Sequence, residues 1–371
     1  MRITSIEAIP VRVPRAKPML SAGTADPIVS SDFGIVRLRV DDGPEGLGEI
    51  SMNGACNGAI LCEAVVSTLA PALIGRDPRA VQLALAEMDR LLEGAEPAKA
   101  GIEMAMLDAV GKALGVPVYQ LLGGRARQRI PVRWGLGFGD PGAGIAELRT
   151  RIDEGFRSVK LKVGRPDTDL DLEMVSAVRE EFGASISLMV DANAGYVSVA
   201  QALRELGRLT PFDLELVEQP LARDRLDDLA TLRGRLPVPI LADESMRHPS
   251  DAYLIARAGA ADVLSVYVCE AGGLIPAAKA FAVAEAAGLS CTIGSQCELG
   301  IGTAAMAHLG VAMRNLAYAS DITGHLRYPE DVIRESLDYE DGTIRPSSRP
   351  GLGVTIAEDR LERWRLDGGG A

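Results

Sequence analysis

The run Ser158-Val159-Lys160-Leu161-Lys162-Val163 decides how this chain is read, because it sets two ammonium groups two residues apart inside an apolar segment. A strand alternates its faces with period two, so Lys160 and Lys162 share one face and Leu161 takes the other. Three more short apolar runs follow, over 186–191, 214–218 and 240–243, and each ends in an acid. From Lys162, the landmarks Asp191, Glu218 and Asp243 are spaced 29, 27 and 25 residues apart, about one strand-and-helix unit of a barrel. In such a barrel the C-terminal ends of all strands face one mouth, so these side chains are expected to converge. The next run, 262–268, offers Tyr267 where another charged group is expected.

Outward from this ladder, strands and helices alternate: strand 131–136, helix 143–154, strand 158–163, helix 169–182, and so on to residue 322. The pattern predicts an α/β fold, a modified TIM barrel of (β/α)7β type over residues 126–322. Residues 2–14 and 34–41 alternate apolar and polar side chains, the second ending at the turn signal Asp42-Gly43, and 58–93 and 98–114 carry helical periodicity. Residues 1–125 are therefore expected to form an α+β capping domain. Its segment 16–32, rich in Ser, Pro and Gly, reads as a mobile lid loop, and 51–58 as a second loop over the substrate. Residues 323–371 form a tail punctuated by Gly342, Pro346, Pro350, Gly351 and Gly353. Its last apolar stretch, 352–356, is expected to pack back on the cap, with 368–370 frayed.

Composition narrows the classes. The chain has 371 residues, 47% of them hydrophobic but only 4% aromatic, with 40 glycines, which suits close helix-to-strand packing and a sizeable core. A net charge of −12 argues against nucleic-acid or anionic-membrane partners, which need clustered Lys and Arg. Five cysteines without a Cys-x-x-Cys pair read as reduced thiols. No signal-peptide core and no apolar run of membrane-span length is seen, so a cytoplasmic protein without membrane contact is expected.

Two Asp and one Glu suit a hard cation such as Mg²⁺, with Mn²⁺ as an alternative, whereas zinc favours His and Cys. Singly, Asp191, Glu218 and Asp243 would read as acids capping loops; three in register after paired lysines argue for a metal site. Two amines close together beside a cation repel, which is expected to bring one of them from ~10.4 toward neutrality as a general base. The bland alternative, a solvated pair, conflicts with inward placement on a barrel strand.

Lys160-x-Lys162, Asp191-Ala192-Asn193, Glu218-Gln219-Pro220, Ala242-Asp243-Glu244-Ser245, Gly272-Gly273 and Gly294-Ser295-x-x-Glu298-x-Gly300-Ile301-Gly302 carry a resemblance over nearly the full length. The chain resembles the enolase superfamily, specifically the muconate-lactonizing subgroup related to mandelate racemase. The resemblance implies removal of the proton α to a carboxylate, the resulting enediolate being stabilised by Mg²⁺ and a lysine. It implies Lys162 as base, Lys160 as its assistant and carboxylate contact, and Asp191, Glu218 and Asp243 as metal ligands. Asn193 and Glu244 would support those ligands, Glu298 would sit near the carboxylate or the metal, and the cap loops would set specificity. The substrate would be a small-molecule carboxylate, and such cap-and-barrel proteins are commonly homo-oligomers.

The chain departs from that family at its sixth barrel strand, where Tyr267 replaces a second lysine. A phenol of pKa ~10 is a poor base at neutral pH but can donate a hydrogen bond or a proton, so two-base racemisation is expected to give way to single-base chemistry; a role as barrel filler is the alternative. Residues 286–297 hold no histidine, so the His-Asp dyad of mandelate racemases is absent. His308 lies on an apolar helix and reads as structural; His325, past the last strand, is a substrate-contact candidate. Asp321-Ile322-Thr323 keeps half of the Asp-x-Asp pair of dipeptide epimerases, and Asp321 and Thr323 are candidate substrate contacts. Trp134 and Tyr267 would flank a ring, with packing as the alternative role for Trp134, and Asp321 would meet a ring nitrogen. The first reading is thus an enediolate-forming lyase, a dehydratase of a 3-hydroxy amino or imino acid such as cis-3-hydroxyproline. A racemase, epimerase or cycloisomerase of the muconate-lactonizing type is the alternative, and a non-catalytic carboxylate-binding barrel is the reading from another class.

Overall fold

The structure, a computed structural model, describes residues 1–21, 26–51 and 58–366. Three antiparallel strands, Ile3–Met19, Ile28–Val40 and Gly46–Ser51, form a sheet in sequence order. The expected lid loop is shorter than its composition suggested, because the first two strands pair out to Met19 opposite Ile28, with a register shift after Pro14 and Ser30. The first strand lies at the sheet edge, where Pro10, Pro14 and Pro18 remove no needed ladder donor. What is left is 20–27, of which 22–25 lie outside the described residues, as do 52–57 of the second loop and the 368–370 end.

Helix Glu96–Leu114 is buried from Pro97 to Gly111 because the third strand lies directly on it. A Cβ at Gly48 would overlap the Gly101 carbonyl, and one at Gly46 that of Ala105. Backbone-to-backbone contact of this kind requires glycine on the strand.

Seven parallel strands follow: Arg133–Leu136, Ser158–Lys162, Ser187–Asp191, Val217–Glu218, Ile240–Ala242, Val263–Val266 and Ser290–Ile293, neighbouring one another in that order. Each leads into at least one helix, from Pro141–Asp153 after the first to Gly300–Ala312 after the seventh. An irregular eighth segment closes the ring, bridging Cys291 through Leu316 on one side and Val132 through Ser320 on the other, so the (β/α)7β architecture holds. The fourth and fifth strands are shorter than the runs 214–218 and 240–243.

Inside the ring, Met189, Leu216, Leu241 and Val263 form their own buried apolar cluster. Two residues further along the same strands stand Asp191, Glu218, Asp243 and Ser265. The pleat therefore places the acids one layer above an apolar floor. No helix among the described residues is long and apolar enough to cross a membrane.

Buried polar groups join the N-terminal sheet and helices to the barrel. Glu49 accepts from the amides of Leu299 and Gly302 at 2.8 Å each and from Ser51, and Glu103 accepts from the amides of Leu274 and Ile275 at 2.9 and 2.8 Å. Both carboxyl groups meet the N-terminal turn of a barrel helix, where unpaired amides and the helix dipole favour an acceptor. Burial pushes Glu49 to about 8 and Glu103 to about 7, against the pull of these amides. His308 links three segments: Nδ1 accepts from the Tyr119 amide at 3.3 Å and Nε2 faces the Leu352 carbonyl at 3.2 Å. Leu352 in turn donates its amide to Asp108 Oδ1 at 2.7 Å, so the tail packs on helix Glu96–Leu114, and Leu366 reaches Pro10.

Two stability predictions result. Glu103→Ala strips the acceptor from two buried amides and should lower unfolding free energy by about 2–4 kcal/mol in urea. Burial depresses His308 to about 4 from 6.5. With the folded value below the unfolded one, its contribution is complete above pH 6.5 and disappears as pH falls through 4. The loss should be on the order of 3 kcal/mol, measured as a steeper acid dependence of stability in the native chain than in His308→Gln.

Candidate active site

Register builds the site. Lys162 lies beside Asp191, and Asp191 beside Glu218, so neighbouring strands present cation, acid and acid at one level, and Asp243 joins them just past the end of the fifth strand. Gln219 fixes that end: its Oε1 accepts from the amides of Asp243 and Ser245 at 2.9 and 3.2 Å. Leu161 points away into the core against the helices, 1% exposed, as the alternation requires.

Lys160 Nζ sits among three carboxylates, 2.8 Å from Asp321, 3.1 Å from Glu218 and 3.4 Å from Asp191. Lys162 Nζ donates to Asp191 Oδ2 at 2.5 Å and Asn193 Oδ1 at 2.6 Å. Asn193 passes the contact on, donating Nδ2 to Glu244 at 3.1 Å. Among these acids both lysines are held up. Burial opposes both charges, with Arg133 adding to it at Lys160 and Lys160 adding to it at Lys162, but Asp321, Glu218 and Asp191 hold Lys160 well above its ordinary value, and Asp191 holds Lys162 up. The acids divide. Asp191 is lowered by the two lysines despite its burial, whereas burial and neighbouring carboxylates drive Glu218 and Asp243 well up, and burial with Asp191 takes Glu244 to about 7.

Among the described residues, no set of acid, imidazole or thiol groups closes into a cation cage by itself; the Lys160 ammonium takes the position between the acids. The donor set nevertheless fits a hard divalent ion in two ways. Asp243 Oδ1 and Glu244 Oε2 are buried without hydrogen-bond partners among the described residues. Moreover, five carboxyl groups (Asp191, Glu218, Asp243, Glu244 and Asp321) face three cations (Lys160, Lys162 and Arg133, the last 3.9 Å from Glu218). With all five ionised, the charge of one divalent ion would be left to balance. Asp191, Glu218 and Asp243 are the residues to hold it.

A cavity of about 700 Å³ opens above these groups, lined by Lys160, Lys162, Asn193, Asp243, Tyr267 and Asp321, among others. Tyr267 follows the sixth strand, and its ring lies over Gly294, where a Cβ would overlap it. Burial, then Asp243 and Glu218, keep the phenol protonated far above its ordinary value. Thr323 also lines the cavity.

Three sequence candidates are placed elsewhere or otherwise engaged. Glu298 does not line the cavity: Cys297, at φ +58°, turns the chain so that Glu298 accepts from Ser295 Oγ at 2.5 Å and the Gln296 amide at 3.0 Å, bracing the loop from behind. Trp134 reaches the cavity wall, but the guanidinium carbons of Arg327 and Arg151 lie 3.6 and 4.1 Å from its ring centre. Two cations that close cannot share one face, so no face is left for a substrate ring. His325 turns to Asp331 at 2.8 Å. Sequence reading passed over Arg133, fully buried beneath Lys160's partners, and Arg15 and Arg327 on the cavity wall; single arginines carry no spacing signal.

Known proteins resemble the chain over most of its length. Residues 4–123 match the mandelate racemase / muconate lactonizing enzyme N-terminal domain, and residues 144–360 the enolase C-terminal domain-like family. Muconate cycloisomerase 1 of Pseudomonas putida is 37% identical, covering 89% of each chain. The N-succinyl-L-Arg/Lys racemase of Bacillus cereus is 33% identical, over 98% of this chain and 97% of its own. A crystal structure of muconate lactonizing enzyme from Pseudomonas fluorescens with muconolactone superposes with a TM-score of 0.95 at 36% identity, covering 98% of this chain and 99% of that one. With both domains matched and the paired lysines and three acids assembled at one barrel mouth, the chain is an enzyme of the enolase superfamily and belongs to its mandelate racemase/muconate lactonizing enzyme family.

Proposed function

We propose that the enzyme moves a proton at the carbon α to a substrate carboxylate, with Lys162 as its single acid/base and an isomerisation of the cycloisomerase kind as the net outcome. The observation that carries the reading is one cavity holding a single amine suited to proton transfer, Lys162, and a phenol, Tyr267, where a second amine would be needed for two-sided exchange. Residues 1–125 act as the cap over that cavity.

Mg²⁺, with Mn²⁺ as an alternative, held by Asp191, Glu218 and Asp243 would supply positive charge at the substrate carboxylate and offset the acids that now keep Lys162 protonated. Lys160, fixed between Glu218 and Asp321, stays an ammonium and neutralises charge developing on the carboxylate oxygens. Lys162 exchanges the proton with the α-carbon, its Nζ aimed by Asn193 Oδ1. In the ring-forming direction a second carboxylate oxygen adds to a conjugated double bond, the electron pair moves into the first carboxylate, and Lys162 returns a proton to the α-carbon. The reverse is a β-elimination on the same face. Neither direction needs a second base.

A second reading, dehydration of a 3-hydroxy amino or imino acid, is favoured by Tyr267: its hydroxyl makes no hydrogen bond to the described residues and would protonate a departing hydroxyl. Asp321 speaks against it, being held by Lys160 rather than available to a ring nitrogen. The relatives, named as cycloisomerases, a racemase and an epimerase, support the isomerase reading.

Muconolactone with Mg²⁺ in D2O should take up deuterium at its α-carbon, followed by proton NMR, and Lys162→Ala should slow this at least about 10³-fold; uptake that persists in the variant removes Lys162 from the mechanism. Tyr267→Phe should leave muconolactone exchange within a few-fold of wild type. If the dehydratase reading is the right one, the same substitution would abolish water loss from cis-3-hydroxyproline.

A further inference from the structure

Lys160 has no donor to spare. An ammonium group donates three protons, and three carboxylates surround this one, Asp321 at 2.8 Å, Glu218 at 3.1 Å and Asp191 at 3.4 Å. A substrate carboxylate drawn to Lys160 must therefore displace at least one of these acids, and a buried carboxylate deprived of its cation is strongly destabilised. Asp191 keeps Lys162, whose Nζ lies 2.5 Å away. For Glu218 and Asp321, the second cation within 4.0 Å among the described residues is Arg133.

Arg133 begins the first barrel strand. Gly135 pairs with Lys160 across the sheet, and Arg133, two residues earlier on the same face, stands one layer deeper. It is fully buried and does not line the cavity, so it cannot touch a substrate. Two bonds tie it to the segment that closes the barrel: its amide donates to the Ser320 carbonyl at 2.9 Å and its Nη2 to the Ala319 carbonyl, just before Asp321. Its Nε and Nη1 are buried without hydrogen-bond partners among the described residues. Nη1 stands 3.9 Å from Glu218 Oε2 and 4.0 Å from Asp321 Oδ2, the same Asp321 oxygen that Lys160 holds. A core arginine with unused donors stabilises a fold poorly, so packing alone does not account for it. Its charge is permanent, because a guanidinium does not lose its proton in proteins, and at such a separation in a buried layer the attraction is already substantial.

We infer that Arg133 is a positioning residue of the reaction, a fixed counter-charge to Asp321 and Glu218 that lets Lys160 leave them for the substrate carboxylate. This rests on the proposed reaction in assigning Lys160 to that carboxylate.

The test is titration calorimetry on the full chain, with Mg²⁺ alone and then with muconolactone at saturating Mg²⁺. Arg133→Met keeps the length and loses the charge. It should tighten Mg²⁺ at least about threefold, since a cation beside Glu218 is gone, and weaken muconolactone at least about tenfold, since Lys160 is then held by Asp321. A merely loosened core would weaken both. Arg133→Lys should restore part of each change, and Arg133→Gln, which keeps a donor for the Ala319 carbonyl, takes the place of Arg133→Met if that variant does not fold. In Arg133→Met combined with Asp321→Asn, the acid that detained Lys160 is neutral, and muconolactone should bind within about threefold of Asp321→Asn alone. Unchanged or weaker Mg²⁺ binding in Arg133→Met, or additive effects of the two substitutions on muconolactone, overturns the role. α-Deuterium uptake is followed in parallel. Tighter Mg²⁺ and coupling to Asp321 without uptake leave Arg133 standing and count against the reaction; uptake with an Arg133→Met chain that behaves as wild type does the reverse.

Discussion

The burial of several carboxyl groups at one level of the barrel is the constraint on which the site depends. Asp191, Glu218 and Asp243 stand above an apolar floor of Met189, Leu216, Leu241 and Val263, where water cannot screen them and like charges repel strongly. Such an arrangement is stable only with cations among the acids. Lys160, Lys162 and Arg133 supply part of that charge from the first two strands, and the remaining deficit is what makes the layer a place for a divalent ion. The same imbalance explains the two protonation tendencies: the lysines are held charged, and Glu218 and Asp243 resist ionisation.

A second set of buried carboxyl groups does a different job. Glu49 and Glu103 leave the N-terminal sheet and helix to cap the barrel helices that follow the seventh and sixth strands. These are the strands carrying Gly294 and Tyr267 at their ends. The capping region is thus joined to the barrel next to the residues that distinguish this site, and Arg15, on a strand of the same sheet, is delivered to the cavity wall with a defined position.

Much of this was legible in the sequence. Period two within 158–163 assigned both lysines to one face, and the recurrence of acids at unit spacing gave the barrel and its mouth. The extent of the first two strands was not legible, because Pro and Ser in 16–32 read as loop while an edge strand tolerates them. The setting of Glu298 was not legible for a related reason, since a left-handed residue at Cys297 turns it behind the loop, and the packing of Trp134 rests on two arginines, from a helix and from the tail, that only the fold brings to its ring.

The sequence by itself determined the fold class, the shared face of the lysines and the level at which the acids stand, since these depend on local periodicity and on the regular length of a strand-and-helix unit. Only the tertiary structure decided the charge balance of the site. Against burial, the direction of the Lys160 shift depends first on Asp321, 161 residues away in the chain. Coulombic interactions act through space, and sequence spacing carries no record of them.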